Sequence, residues 1–352
     1  MKENANLPVL MVRWQLKFTQ CNLKCPYCIA TWTKRPVEFE AEKFDAIIER
    51  LVDLPFRLAV RLGVGGEIFL SPAIQDGVAR LSHHPKVEGV SFSTNLVASD
   101  EKISALLERA NLQKLGVGAT LHDTQIKDIE GFFRKVGMIQ KRGVLIYVGY
   151  VAKPDRFEHL KQYKQRLDAM GVPFIPNEYN GAIEGLPYPQ AYTAKERELL
   201  KENFFSRHYY RMLVERDNPR GQPCLAGYRY IYLGHDGTIR NCGMDQNLEW
   251  NVWMKMARWV DEKWPEKIQA WRLDRNKLGN ILDGGLPLSD SPRACPHSLC
   301  NCGNEVQAMC KVGQIYHRTR LLRVIYPKES AAEYEAKYPN LRPIENDTSS
   351  VD

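Results

Sequence analysis

The chain has 352 residues, 44% hydrophobic and 26% charged, enough for one large domain or two of ordinary size. Its net charge of +7 is spread along the sequence; it would suit an anionic substrate, but such an excess is ordinarily a solvated surface, and no nucleic-acid partner is expected from it. Arg13 and Lys17 interrupt the amino-terminal apolar stretch, so no secretory signal is visible, and the run around Val144 to Ala152 is too short to cross a bilayer. A cytoplasmic protein without a membrane partner is expected. In a reducing compartment nine cysteines point to metal ligation before disulfides.

From the amino terminus to about residue 205, β-type runs alternate with amphipathic helical patterns. The runs are VRWQLKF from Val12, LAVRLGV from Leu58, VEGVSFS from Val87, KLGVGATL from Lys114, VLIYVGYV from Val144 and VPFIPNEY from Val172. They begin 46, 29, 27, 30 and 28 residues apart, and all but the first interval match one strand-helix unit. Between them Phe44, Ile47, Ile48 and Leu51 fall at i, i+3, i+4 and i+7, as do Ile103, Leu106, Leu107 and Ala110. Six such repeats predict an α/β fold with a parallel sheet and outer helices, either an open doubly wound layer or a curved barrel. In both, function sits at the carboxyl ends of the strands. Those positions hold CNLKCPYC, GGE at 65–67, STN at 93–95, TLHD from Thr120, GYVAK from Gly149 and NEYNG from Asn177.

The first of these segments spaces Cys21, Cys25 and Cys28 as C-x3-C-x2-C. A structural zinc site takes four ligands, and so does an electron-transfer cluster. Three thiolates can instead hold three irons of a 4Fe–4S cubane and leave the fourth open. The alternative is a zinc knuckle completed from elsewhere, by Cys310 or a histidine.

A further helix is expected from Tyr192, capped by Thr193, and DNPRGQP from Asp217 reads as a boundary. Beyond it the rhythm stops and six cysteines follow, at 224, 242, 295, 300, 302 and 310. Asp236-Gly237 reads as a hairpin turn that brings Cys224 and Cys242 together. The segment from Trp250 to Trp271 carries five tryptophans, either packed on the core or forming a lid. The expected division is a core over 1–205, a linker over 206–223, a cysteine-rich domain over 224–312, and a helix with a polar tail over 313–352.

With Tyr27 just before Cys28, the three-cysteine loop resembles the signature of the radical S-adenosylmethionine (radical SAM) enzymes. The resemblance implies a partial (β/α)6 TIM-like barrel and a 4Fe–4S cluster on Cys21, Cys25 and Cys28, whose open iron chelates S-adenosylmethionine. One electron from the cluster would cleave the cofactor, giving methionine and a 5'-deoxyadenosyl radical that abstracts a hydrogen atom. It implies cofactor contacts at Tyr27, at Gly65, Gly66 and Glu67, at Ser93 and Asn95, and at Thr120, with Arg134 able to reach the cofactor carboxylate. The sequence has Ile68 where the family usually has proline. His122 and Asp123 are possible substrate contacts, or else the start of a helix capped by Asp123 or Thr124.

The Cys224–Cys242 hairpin and LGNILDG from Leu278 resemble the SPASM and twitch extensions of that family, and CPHSLCNCGNEVQAMC departs from the full two-cluster spacing. This implies one auxiliary 4Fe–4S cluster, with Cys224 and Cys242 the firmest ligands, then Cys295, Cys300 and Cys302, and Cys310 last. A structural zinc or a spare hydrogen-donating thiol is the alternative use. The resemblance implies an oxidoreductase served by an electron donor such as flavodoxin or ferredoxin. Only 20 residues precede the three-cysteine loop, where peptide-modifying relatives often carry a recognition domain. The expected substrate is therefore a small hydroxylated molecule, sugar or aminocyclitol-like, to be oxidised or epimerised; a peptide is the alternative. A non-catalytic iron-sulfur or zinc protein is the reading from another class.

Overall fold

The structure, a computed structural model, describes residues 7–16, 20–28, 39–204, 210–243, 277–297, 300, 313–316 and 323–326. Strand β1 (Val9–Leu16) shows how each unit is built. Leu10, Val12, Trp14 and Leu16 are buried, whereas Arg13 and Gln15, on the alternate positions, are only partly so. Trp14 stacks on Phe44 at 4.7 Å, which seats helix α1 (Ala41–Asp53) on that face through Phe44, Ile47, Ile48 and Leu51.

The pattern repeats through β2 (Arg57–Val64), α2 (Pro72–His83), β3 (Val87–Thr94), α3 (Asp100–Arg109), β4 (Leu115–Leu121), α4 (Ile129–Lys141), β5 (Leu145–Ala152), α5 (Phe157–Met170) and β6 (Phe174–Glu178). Every strand begins within three residues of its expected start. All neighbours pair in parallel and in sequential order from β1 to β6. A doubly wound sheet reverses its order at a switch point; sequential order is that of a barrel wall. This settles the choice that periodicity left open. Asp128, rather than Asp123 or Thr124, caps α4 by accepting the Gly131 N–H.

After β6 come a short hairpin, β7 (Gly181–Ile183) and β8 (Leu186–Tyr188), and α6 (Ala194–Asn203). Thr193 and Glu196 form a reciprocal capping box at the start of α6, where the cap was expected. The cysteine-rich region contributes β9 (Pro223–Cys224), β10 (Tyr230–Leu233), β11 (Thr238–Arg240), β12 (Lys277–Asn280) and β13 (Arg293–Ala294). β14 (Gly313–Tyr316) and β15 (Arg323–Tyr326) pair antiparallel. The expected hairpin is present: β10 and β11 pair antiparallel around Gly237, whose φ of 82° suits glycine.

That hairpin does not stand apart from the barrel. β10 pairs in parallel with β1 and covers its open edge, so the sheet runs β12-β11-β10-β1-β2-β3-β4-β5-β6. The Trp250–Trp271 segment, Cys302, Cys310 and the polar tail lie outside the described residues.

Tyr192 fastens the segment before α6 to the barrel. Its hydroxyl donates to Ala152 O at 2.6 Å and accepts from Tyr179 N–H at 2.8 Å, joining the ends of β5 and β6. Replacing Tyr192 by Phe strands a buried carbonyl and a buried N–H together. The expected loss is about 1–3 kcal/mol in urea unfolding; an unchanged midpoint would show that the pin carries no stability.

Candidate active site

The loop that follows β1 carries Cys21 exposed, Cys25 buried and Cys28 between the two. A turn with Cys28 N–H on Cys25 O at 3.0 Å closes it. Burial pushes the Cys25 thiol up to about 11, with neighbouring Cys28 and Cys21 adding to the shift. Burial also raises Cys21. Such thiols keep their protons unless a metal replaces them. Among the described residues no three His, Cys, Asp or Glu side chains converge on a single ion. A cubane asks for no such focus, since each cysteine binds its own iron. Three thiols on one loop are the donor chemistry that three corners of such a cluster would take.

GGE and STN are both tied to this loop. Glu67 N–H donates to Gln20 O at 2.8 Å, next to Cys21. A Cβ on Gly66 would lie 2.0 Å from that same carbonyl oxygen, so only glycine lets the two backbones meet. Gly65 is the partly buried residue between β2 and this contact. The buried Glu67 carboxylate accepts from Thr94 Oγ1 at 2.7 Å, Asn95 N–H at 2.7 Å and Phe69 N–H at 3.2 Å. Burial raises its pKa and these donors work against the rise. The Glu67 side chain is thus a brace between two strand ends. Asn95 in turn donates through Nδ2 to Asn22 Oδ1 at 2.7 Å and lies 3.8 Å from Cys21 Sγ, which Leu23 N–H also approaches at 3.4 Å.

Thr120 is partly buried on β4, and its register partner on β5 is Gly149. A Cβ on Gly149 would lie 3.7 Å from Thr120 Oγ1 and 3.4 Å from Asn177 Nδ2, which puts both polar groups beside one glycine. Arg134 departs from the cofactor-carboxylate expectation, being exposed and paired with Asp100. Tyr27 meets His122 instead of standing alone, its hydroxyl 3.2 Å from His122 Nδ1 and its ring facing Tyr179. Burial drives His122 down to about 4, against a smaller upward pull from Asp123. Asp123 accepts from Tyr150 OH at 3.0 Å and faces His159 Nδ1 at 3.1 Å.

Sequence reasoning missed the inner face below this rim. Arg61 of β2 donates to Ser91 Oγ at 3.2 Å, Phe92 O at 3.3 Å, Ser93 Oγ at 2.6 Å and Tyr147 OH at 2.7 Å. The Ser93 hydroxyl is therefore a partner of Arg61. A signal was there to use: an arginine between apolar neighbours in the middle of LAVRLGV.

Cys224, Cys242, Cys295 and Cys300 are all buried. β9 and β13 pair with Cys224 opposite Arg293, which brings Cys224 to within two residues of Cys295 across the ladder. Cys242 Sγ lies 3.6 Å from His297 Nε2, and Cys295 Sγ lies 3.9 Å from His297 O. His297 joins the two thiols and was not foreseen.

Residues 17–136 match the family model described as Radical SAM superfamily. Solved structures of similar fold include native anSMEcpe with bound AdoMet, 15% identical over 79% of either chain with a TM-score of 0.50. The tagged form of anSMEcpe with bound AdoMet gives 16%, 79% of either chain and 0.51. Native anSMEcpe with bound AdoMet and Cp18Cys peptide gives 16%, 79% of this chain, 78% of that one and 0.50. No curated protein matches the chain. Residues 17–136 thus carry a match to the radical SAM family, and these solved structures share the fold of the chain.

Gly66→Ala should push the cysteine loop off GGE, so anaerobic reconstitution should leave less iron per chain than in the wild type at unchanged circular dichroism. Equal iron content would show that the loop does not depend on this contact. For His122 the folded pKa lies below the unfolded value of about 6.5, so the unfolded chain takes up the proton first. Stability is then full above about 6.5 and falls as pH drops towards about 4. Urea midpoints across this window should fall less steeply in His122→Gln; parallel slopes would remove His122 as the source.

Proposed function

We propose that this radical SAM enzyme is an oxidoreductase that removes a hydrogen atom from a small hydroxylated substrate, sugar or aminocyclitol-like, and oxidises or epimerises it. The observation that carries the reading is the three-thiol loop at the end of β1, latched to Gly66 and Glu67 on one side and Asn95 on another. When bound, the cluster and S-adenosylmethionine supply reductive cleavage of the sulfonium and a carbon radical able to take a hydrogen atom.

The residues of this chain supply position. Cys21, Cys25 and Cys28 would hold the cluster, and Asn95 and Leu23 N–H, near Cys21 Sγ, would orient that ligand and lower its charge density. The backbone at Gly65 and Gly66 is open to close approach by the amino group of the cofactor, while Glu67 holds the stretch in place. Tyr27, Asn95 and Thr120 border the cofactor on the remaining sides, and Ser93 acts through Arg61. Neutral His122, facing Tyr27, bounds the rim as a polar but uncharged group.

An auxiliary 4Fe–4S cluster on Cys224, Cys242, Cys295 and Cys300 or Cys302 is the second part of the proposal, with Cys310 in reserve. Burial of the four described thiols and the link through His297 support it. When bound, such a cluster would supply an electron acceptor; loss of a hydrogen atom, one electron and one proton would turn an alcohol carbon into a ketone. A soluble flavodoxin or ferredoxin would supply the priming electron. A peptide is the second reading, and the anSMEcpe structure with its Cp18Cys peptide shares this fold.

Anaerobic reconstitution tests both parts. The wild type should bind about eight irons per chain and form 5'-deoxyadenosine only with reductant. The Cys21, Cys25, Cys28 triple alanine variant should keep about half of that iron and form none. Zinc in place of iron, or no cleavage by the wild type, would overturn the reading; loss of all iron in the variant would overturn the two-site assignment.

A further inference from the structure

The inner face of the sheet carries three arginines in one row. Register places Arg13 beside Arg61 on one side and Tyr232 on the other, and Tyr232 beside Arg240. On β1 and β2 these arginines alternate with Val12, Trp14, Val60 and Leu62, which are buried in the core. Their side chains therefore lie on the opposite face, where the Arg13 guanidinium sits 5.9 Å from the Tyr232 ring centre.

The partners of Arg61 are neutral. Its two terminal nitrogens reach three hydroxyls and one carbonyl, and among the described residues no carboxylate pairs with Arg61 or Arg240. Arg240 is 6% exposed, and its Nε has no hydrogen-bond partner among the described residues. Arg61, partly exposed and held by neutral groups among the described residues, keeps a positive charge that an anion from outside would pair.

The hydroxyls around Arg61 complete the chemistry. Ser91, Ser93 and Tyr147 each accept from the guanidinium, so each still has its own O–H proton to donate. Two glycines make room for the arrangement. A Cβ on Gly118 would lie 2.3 Å from Tyr147 OH, and one on Gly63 would lie 2.7 Å from Gln15 Oε1. With glycine at both places Tyr147 reaches across to Arg61 and Gln15 keeps its position. Ser93, Arg61, Arg13 and Tyr147 are all partly exposed, as the wall of an open interior would be.

The geometry points to an anion cradle: Arg61 and Arg13, with the Ser93 and Tyr147 hydroxyls, hold a phosphate or carboxylate group of the substrate beneath the cysteine loop. This rests on the proposed function, and it narrows the substrate to a hydroxylated molecule that also carries an anionic group, such as a sugar phosphate or a sugar acid. The anion at the bottom would fix which hydroxyl-bearing carbon stands at the rim.

The reconstituted full chain should be titrated with inorganic phosphate and, separately, with acetate at constant ionic strength, following thermal stability and heat of binding. Saturable binding of one anion is expected, and the preferred anion identifies phosphate or carboxylate as the group. Arg61→Gln and Arg13→Gln should weaken it about tenfold, whereas the surface change Arg80→Gln should leave it unaltered. If Arg61→Gln does not fold, Tyr147→Phe and Ser93→Ala remove the donors one at a time and should each weaken binding. Binding should persist with S-adenosylmethionine present. No saturable binding, equal binding in the variants, or displacement by S-adenosylmethionine would each overturn the cradle, the last by assigning it to the cofactor carboxylate. Formation of 5'-deoxyadenosine by the wild type without substrate is scored separately, so a failed cradle and a failed radical reading give different results.

Discussion

One backbone contact organises the rim: Glu67 N–H on Gln20 O, with Gly66 pressed against the same carbonyl. It sets how closely the cysteine loop lies to the end of β2. The Glu67 carboxylate then carries the constraint to β3 through Thr94 and Asn95, and Asn95 returns it to the loop through Asn22. The circuit closes on itself across three strand ends. A buried carboxylate is expensive unless its lone pairs are filled, and here three donors fill them. The rim is therefore held by a polar knot in which each member positions the next.

Much of this was legible in the sequence because it depends on local rules. Phe44, Ile47, Ile48 and Leu51 announce a helix by spacing, and all four are buried as that spacing requires. The cysteine spacing and the glycine pair announce a loop and a close approach. Asp236-Gly237 announces a turn. Whether the strands made a barrel or an open layer depended on pairing order, which no local period encodes.

The parts that stayed hidden depend on contacts far apart in the chain. Glu67 reads as a ligand contact until Asn95 and Thr94 are seen to use it. Arg61 reads as an oddity within an apolar run until the register brings Ser93 and Tyr147 to it from two other strands. His297 lies 55 residues from Cys242, and only folding brings the two together. Arg134, on a helix, follows the simpler rule that an exposed arginine finds a nearby aspartate.

The pairing of β10 with β1 has a mechanical consequence. One strand leads directly into the loop with Cys21, Cys25 and Cys28, and its neighbour lies between Cys224 and Cys242. A ladder of main-chain hydrogen bonds therefore ties the strand that precedes the first group of cysteines to a strand lying between two members of the second, however long the connecting chain. In the enzyme proposed above, a tie of this kind would hold the two sites to one frame while the intervening segments vary in length and composition.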